Sequence, residues 1–299
     1  MKKILLVISL LFYSFYSIAQ IKDYSFYDGN NFKLAEFRFW NPDISVDYKG
    51  ILVLTPGINN DGRSAVLDTV WQKFATKNRL IIIGSHFKDY DSDNKSRYRD
   101  ASKGSGAVLL KSIEKYGTEI SNKTVNELPL LMYGFSAGGQ YNYEFASWKP
   151  EKVASFVVNK GGYYDTAIAS IETQKIPGIF FMGEKDLYYR NNLILGIYSG
   201  NRSQGSNWTL INEKDKKHSP GNSKALSISF FESILPHRLI EGKLIDMTSD
   251  NPILGFPDRK IFKYFKEINK SEFNKWGRLE ILSIWLPNEG FAKIWLDSL

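Results

Sequence analysis

Gly134-Phe135-Ser136-Ala137-Gly138-Gly139 sets one serine between glycines two residues to either side. A serine hydroxyl attacks a carbonyl only where a base takes its proton and preorganised donors hold the developing oxyanion. The Gly-x-Ser-x-Gly spacing suits that chemistry when it closes a strand and opens a helix. The serine then sits on a sharp, strained turn, side chains two residues away would collide across it, and the helix N-terminus faces the developing charge. The flanks meet the condition. Leu130 to Tyr133 is an apolar run started by Pro129, and Gln140 to Trp148 reads as helix. Ser136 is therefore the candidate nucleophile, and the Ala137 N–H directly after it the first candidate oxyanion donor.

The base must be one of three histidines, His86, His218 and His237. Where such a serine turn tops a parallel sheet, the chain order is serine, then acid, then histidine. His86 precedes the serine, and His237 follows Pro236 at a helix end, where it reads as a surface or capping residue. His218 lies between the apolar run Trp208 to Ile211 and the helical stretch Ala225 to Leu235, which is the place for a base. The acid is expected after the preceding strand, Ile179 to Met182, which runs into Gly183-Glu184-Lys185-Asp186. Asp186 suits the role of orienting the imidazole and stabilising its charged form. Glu184 and Asp165 remain alternatives, and Asp215 is too close in sequence to His218. A second oxyanion donor is expected from the loop Thr55-Pro56-Gly57-Ile58-Asn59-Asn60-Asp61-Gly62, with Gly57 permitting the turn and Ile58 N–H donating. Asn59, Tyr163 and Tyr188 are candidate substrate contacts by position.

These residues need a scaffold that brings strand ends together. Gly50–Leu54, Leu80–Ile83, Leu130–Tyr133, Val153–Val158, Ile179–Met182 and Trp208–Ile211 are continuous apolar runs, the signature of strands buried on both faces. Helical stretches at Ala65–Thr76, Ala107–Ile113, Gln140–Trp148 and Ala225–Leu235 separate several of them. The pattern predicts an α/β fold with a mostly parallel central sheet and helices on both faces. Tyr24–Tyr27 and Leu34–Trp40 read as an antiparallel edge pair turning at Asp28-Gly29-Asn30-Asn31. Two stretches read as rim loops, Ser85–Asp100 (with Tyr90, Asp91, Asp93, Lys95, Arg97 and Tyr98) and Ser199–Asn207. Residues 20–235 form the expected main domain. Residues 236–299 lose the βα rhythm, carry Trp276, Trp285 and Trp295, and are expected to pack on it as a C-terminal extension.

The order Thr55-Pro56-Gly57, Gly134-Phe135-Ser136-Ala137-Gly138-Gly139, Gly183-Glu184-Lys185-Asp186, His218 resembles the α/β-hydrolase superfamily over roughly residues 45–235. The Gly-x-Ser-Ala-Gly-Gly form is similar to secreted esterases of the polyhydroxyalkanoate-depolymerase and feruloyl-esterase type. The resemblance implies carboxylic ester hydrolysis through a Ser-His-Asp triad and an acyl-enzyme. Two departures stand out. Many members have His-Gly where this chain has Pro56-Gly57, a change a backbone donor survives, and many exported relatives carry disulfides. About twenty residues separate Val158 from Gly178, too few for the lid that lipase-like members insert there. That implies an open site and an extended, polymeric or carbohydrate-linked ester. A serine peptidase on the same triad and a non-catalytic binding protein of the same fold are the competing readings.

Lys2 and Lys3, the apolar run Ile4–Tyr16 and Ser17-Ile18-Ala19 read as a secretory signal peptide, residues 1–19, cleaved after Ala19. The run falls short of the roughly 20 apolar residues of a membrane span, so no stable membrane anchor is expected. The expected destination is the periplasm or the exterior. Cysteine is absent, which excludes disulfides, a lipid-modified cysteine and thiolate metal sites. The net charge of +7 is dispersed among carboxylates, as in Asn212-Glu213-Lys214-Asp215-Lys216-Lys217, and argues against a nucleic-acid partner. No phosphate-cradling loop and no His-Glu-x-x-His occurs, so neither cofactor nor metal is expected.

Overall fold

The computed structural model describes residues 20–42, 47–91, 96–247, 253–264 and 283–299. The expected signal peptide, Asp93, Lys95 and Trp276 lie outside the described residues. One sheet of eight strands organises the chain: β1 (Gln20–Gly29), β2 (Phe32–Asn41), β3 (Gly50–Thr55), β4 (Leu80–Lys88), β5 (Leu130–Phe135), β6 (Val153–Asn159), β7 (Gly178–Gly183) and β8 (Trp208–Glu213). Their spatial order is β1-β2-β4-β3-β5-β6-β7-β8. β1 and β2 form the antiparallel hairpin read from the aromatic runs, β2 pairs antiparallel with β4, and the pairs from β4 to β8 are parallel. The order reverses between β3 and β5, so the ends of these two strands open at a switch point, where ligands of open α/β sheets bind.

The helices are α1 (Thr69–Asn78), α2 (Ser105–Glu119), α3 (Ala137–Trp148), α4 (Ile171–Lys175), α5 (Tyr188–Arg202), α6 (Ser223–Arg238) and α7 (Glu289–Asp297). Register shows that they cover both faces. Met132 of β5 pairs with Phe156 of β6, whose ring meets Tyr143 of α3. The next residue, Tyr133, points the other way and meets Trp71 of α1, while Phe74 of α1 stacks on Phe231 of α6. α3 therefore lies on one face, and α1 with α6 on the other. The strands between are sealed: every residue of β3 and β6 is buried. Each large apolar side chain so buried contributes about 1.5–3 kcal/mol.

Three local expectations are corrected. Ala65–Thr76 is not one helix. A 3-10 turn over Arg63–Leu67 ends at Asp68, whose carboxylate accepts from Val70 N–H (2.9 Å) and Trp71 N–H (3.2 Å) and starts α1 afresh. This break leaves Leu67 and Val70 exposed, though both fit the apolar spacing. Ser85–Lys88 belongs to β4 and not to a loop, because β2 extends the pairing to Leu34↔Lys88. Ser199–Arg202 is the last turn of α5, a helix the sequence reading passed over.

Beyond α6, β9 (Leu239–Ile240) and β10 (Lys243–Leu244) form a short hairpin. β11 (Ile253–Phe256), β12 (Ile261–Tyr264) and β13 (Ile284–Leu286) form an antiparallel sheet in the order β12-β11-β13. Thr209 Oγ1 of β8 donates to Trp285 O (2.6 Å), and Trp295 Nε1 of α7 donates to Leu210 O (3.2 Å). Phe230 of α6 packs on Trp285 and Phe291. Among the described residues, no helix is long and apolar enough to cross a membrane.

Candidate active site

Ser136 follows β5 and caps α3 at φ 53°, ψ −122°, a backbone region that L-residues avoid. The turn is held from both sides. Ser136 N–H donates to Asn159 O (2.7 Å), and its carbonyl accepts from Gly139 N–H (3.0 Å) and Gln140 N–H (3.1 Å). The two motif glycines have separate steric causes. A Cβ on Gly134 would lie 2.3 Å from Gly138 O, and one on Gly138 would lie 2.2 Å from Thr55 O. The first lets the strand meet the helix, and the second lets the helix meet the end of β3.

His218 reaches this turn from the segment after β8. Its Nε2 stands 3.0 Å from Ser136 Oγ, and its Nδ1 stands 2.9 Å from Asp186 Oδ2. The Phe135 ring lies 4.9 Å from the imidazole. Gly183 is small for this segment: a Cβ there would come within 2.6 Å of Lys216 O and 3.0 Å of Lys217 O. Asp186 lies in the turn after β7, its side chain almost wholly buried. Its Oδ1 accepts from Leu187 N–H (2.7 Å) and from Arg190 (2.5 Å). Burial alone would raise the Asp186 pKa, but the His218 hydrogen bond, the Leu187 N–H and the Arg190 charge outweigh it. The carboxyl is held below its ordinary value and stays ionised beside the imidazole. An imidazole that donates Nδ1–H to a carboxylate presents its Nε2 lone pair to the serine hydroxyl, the arrangement a general base needs.

The β3 loop lies against the serine: the Cβ position of Gly57 is 3.5 Å from Ser136 Cβ. Ala137 N–H, at the first turn of α3, has no intrahelical acceptor. Among the described residues, no group accepts from it or from Ile58 N–H. Gly57 itself is not what bends the loop. Its φ is not positive, and a Cβ there would make only ordinary contacts. The left-handed residue is Asn59, at φ 56°, a conformation that asparagine tolerates better than most.

Solved structures share this architecture. Poly(aspartic acid) hydrolase-1 of Sphingomonas sp. KT-1 matches with a TM-score of 0.52 and 16% identity, over 71% of this chain and 97% of that one. The poly(3-hydroxybutyrate) depolymerase of Bordetella parapertussis matches at 0.54 and 12%, over 77% and 92%. A ferulic acid esterase matches at 0.54 and 9%, over 71% and 96%. The chain has the α/β-hydrolase fold. A scan of protein-family models and a search of curated proteins find no match.

In this α/β-hydrolase frame, the other sequence candidates fall in different places. Glu184 accepts from Asp215 N–H (2.8 Å) and braces the two loops. Asp165 hydrogen-bonds Asp100, not a histidine. His86 pairs with Glu36 Oε2 across β2 and β4 (2.8 Å), and His237 sits in the last turn of α6. Asn59 Oδ1 is engaged by Asp89 N–H (3.1 Å), tying the β3 loop to the end of β4. Tyr163 is half exposed with the Arg99 guanidinium 4.3 Å above its ring, and Tyr188 opens α5 almost fully exposed. With its amide oxygen turned toward them, Gln140 accepts from Gly162 N–H (2.6 Å) and Tyr163 N–H (2.5 Å) and fixes this loop beside the serine turn. Among the described residues, no group of three His, Asp or Glu is placed to hold one metal ion.

Sequence reasoning missed Arg190, Lys160, Glu213 and Asp100. Arg190 stands four residues after Asp186, a spacing that becomes informative only once α5 is recognised. Asp100 is pushed up to about 7, first by burial and then by its hydrogen bond to Asp165 and that group's charge. The folded state thus binds the Asp100 proton more tightly than the unfolded chain, whose carboxyl has the ordinary value of 3.8. Stability from this group is full below that value and is lost as pH rises toward about 7. Asp100→Asn, which keeps a donor toward Asp165, is expected to flatten the fall in Tm over this window. Thermal melts of both proteins from pH 4 to 8 check it, and parallel curves would contradict it.

Proposed function

We propose that this chain hydrolyses carboxylic esters, with Ser136 as nucleophile, His218 as general base and acid, and Asp186 orienting the imidazole. The observation that carries the reading is the contact of His218 Nε2 with Ser136 Oγ at 3.0 Å while Nδ1 holds Asp186 at 2.9 Å. Ser136 Oγ attacks the ester carbonyl carbon as its proton passes to His218 Nε2. The carbonyl oxygen becomes an oxyanion facing Ala137 N–H and Ile58 N–H. The bond to the alcohol breaks, and the leaving alkoxide takes the proton from His218. Water, deprotonated by His218, then attacks the acyl-Ser136 carbonyl, and Ser136 leaves with the proton returned.

The exposure of the proposed base suits a large substrate. The His218 side chain is 32% exposed, Tyr163 is half exposed, and Tyr188 is exposed. Structures of the same fold include a depolymerase and a ferulic acid esterase, which fits an extended, polymeric or carbohydrate-linked ester. The residues before Gln20 fit export to the periplasm or beyond. Fluorophosphonate labelling tests the mechanism, and the expected result is a single adduct on Ser136 in the folded protein. A panel of p-nitrophenyl esters and peptide anilides then separates esterase from peptidase, with turnover of the esters expected. No adduct on folded protein would sink both enzyme readings and leave a binding protein.

A further inference from the structure

Lys160, the residue after β6, combines two costly features. It is fully buried, and its φ is 55°. A buried ammonium loses its hydration, and a left-handed lysine strains its backbone, so both persist only where the surroundings enforce them. Lys160 Nζ hydrogen-bonds Glu213 Oε2, the last residue of β8 and itself only 5% exposed, and reaches Asn159 Oδ1 at 3.1 Å. No part of the mechanism above uses this pair.

Its partners lead to each member of the serine relay. Asn159 O accepts the Ser136 N–H (2.7 Å), and Asn159 Nδ2 donates to Pro220 O (3.0 Å) and Ser223 Oγ (2.6 Å). Glu213 Oε1 accepts Asn222 N–H (2.6 Å). The Glu213 carbonyl accepts from Glu184 N–H (3.0 Å), in the turn that carries Asp186, and from Lys216 N–H (3.3 Å). Lys160 Cε passes beneath Gly183, 2.9 Å from its Cβ position. Residues 214–222 contain no helix or strand, and His218 sits near their middle. The Lys160–Glu213 pair thus holds Asn222 and Asn159 by its side chains, while the main-chain carbonyls of Asn159 and Glu213 tie the same two residues to the serine turn and the aspartate turn.

We infer that Lys160 and Glu213 are positioning residues that set the reach of His218 to Ser136 and Asp186, an inference that rests on reading those three as the catalytic relay. A buried ion pair adds little net stability over apolar residues of similar size, so its value here lies in geometry. Misplacing a catalytic group by about 1 Å costs on the order of 100-fold in rate.

The test uses double variants, because a single one leaves a bare buried charge. Lys160→Met/Glu213→Leu removes the pair and the Asn222 contact. Lys160→Met/Glu213→Gln removes the charges and keeps an acceptor for Asn222 N–H. The first is expected to fold, with kcat toward p-nitrophenyl acetate and the rate of fluorophosphonate labelling both reduced roughly 10- to 100-fold. KM should stay within about twofold of wild type. The second is expected to recover part of the lost rate. The downfield proton resonance of His218 Nδ1–H, bonded to Asp186, should weaken or shift in the first variant. Wild-type kcat and an unchanged resonance in either folded variant would overturn the inference. If the first variant does not fold, the second is read alone and must be slower than wild type. A wild-type chain that takes no fluorophosphonate refutes the hydrolase reading instead, and the resonance still judges the positioning pair separately.

Discussion

On the proposed mechanism, Ser136→Ala is expected to lower kcat toward an activated ester by about 10⁵- to 10⁶-fold, with KM little changed, because a nucleophile and its base act as a unit. The residual rate comes from the oxyanion donors and from binding. Ser136→Gly should be equally inactive and yet more stable than Ser136→Ala. The position holds φ 53° and ψ −122°, where a Cβ is strained in both wild type and the alanine variant. Such strain costs of order 1–3 kcal/mol, and glycine removes it at an entropic cost of about 0.5–1 kcal/mol. The net gain of about 1 kcal/mol corresponds to a Tm roughly 2–4 °C above that of the alanine variant, read by calorimetry. A glycine variant melting below the alanine one would mean that the turn is unstrained.

The sheet was readable because its strands are buried on both faces, which turns each into an unbroken apolar run. What lay outside that signal was lost. α5 carries Gly196, Ser199, Gly200 and Asn201, all poor or indifferent helix formers. It forms because Ile194, Tyr198, Asn201 and Arg202 share a buried face, where Asn201 accepts from Ala169 N–H (2.8 Å) and Arg202 Nε donates to Ser283 O (3.1 Å). Those partners are remote in sequence, so local propensity misleads. With α5 unseen, Arg190 had no reason to stand out beside Asp186. The extension of β4 past Ile83 depends likewise on β2. Ser136, Asp186 and His218 were visible because each follows an apolar strand and their order is restricted by topology. Lys160 and Glu213 were not, since nothing local marks a lysine 53 residues from its carboxylate partner as buried. Gly57 drew attention as a turn glycine, whereas the positive φ falls on Asn59, which looks like an ordinary loop residue.

On the proposed mechanism, Gly138→Ala is expected to lower kcat by about 10²- to 10³-fold while leaving Ser136, His218 and Asp186 in the chain, because it separates the two proposed oxyanion donors. The new methyl group would sit 2.2 Å from Thr55 O and 2.4 Å from Pro56 O. Both are backbone oxygens, so no side-chain rotation relieves the overlap, and the ring of Pro56 fixes its own φ. Either α3 retreats and carries Ala137 N–H away, or the Thr55–Gly62 loop lifts and carries Ile58 N–H away. Each outcome withdraws one donor from the developing charge. Overpacking of this kind also costs about 1–3 kcal/mol of stability, so the rate must be measured well below Tm. Gly196→Ala is the control: a Cβ on that residue of α5 meets nothing within 4 Å, so kcat should hold and Tm should rise slightly. The decisive readout is where the loss appears. A fall in kcat with KM near wild type identifies donors that act on the transition state, whereas a rise in KM alone would make this loop a ground-state contact and require the second oxyanion donor to come from elsewhere.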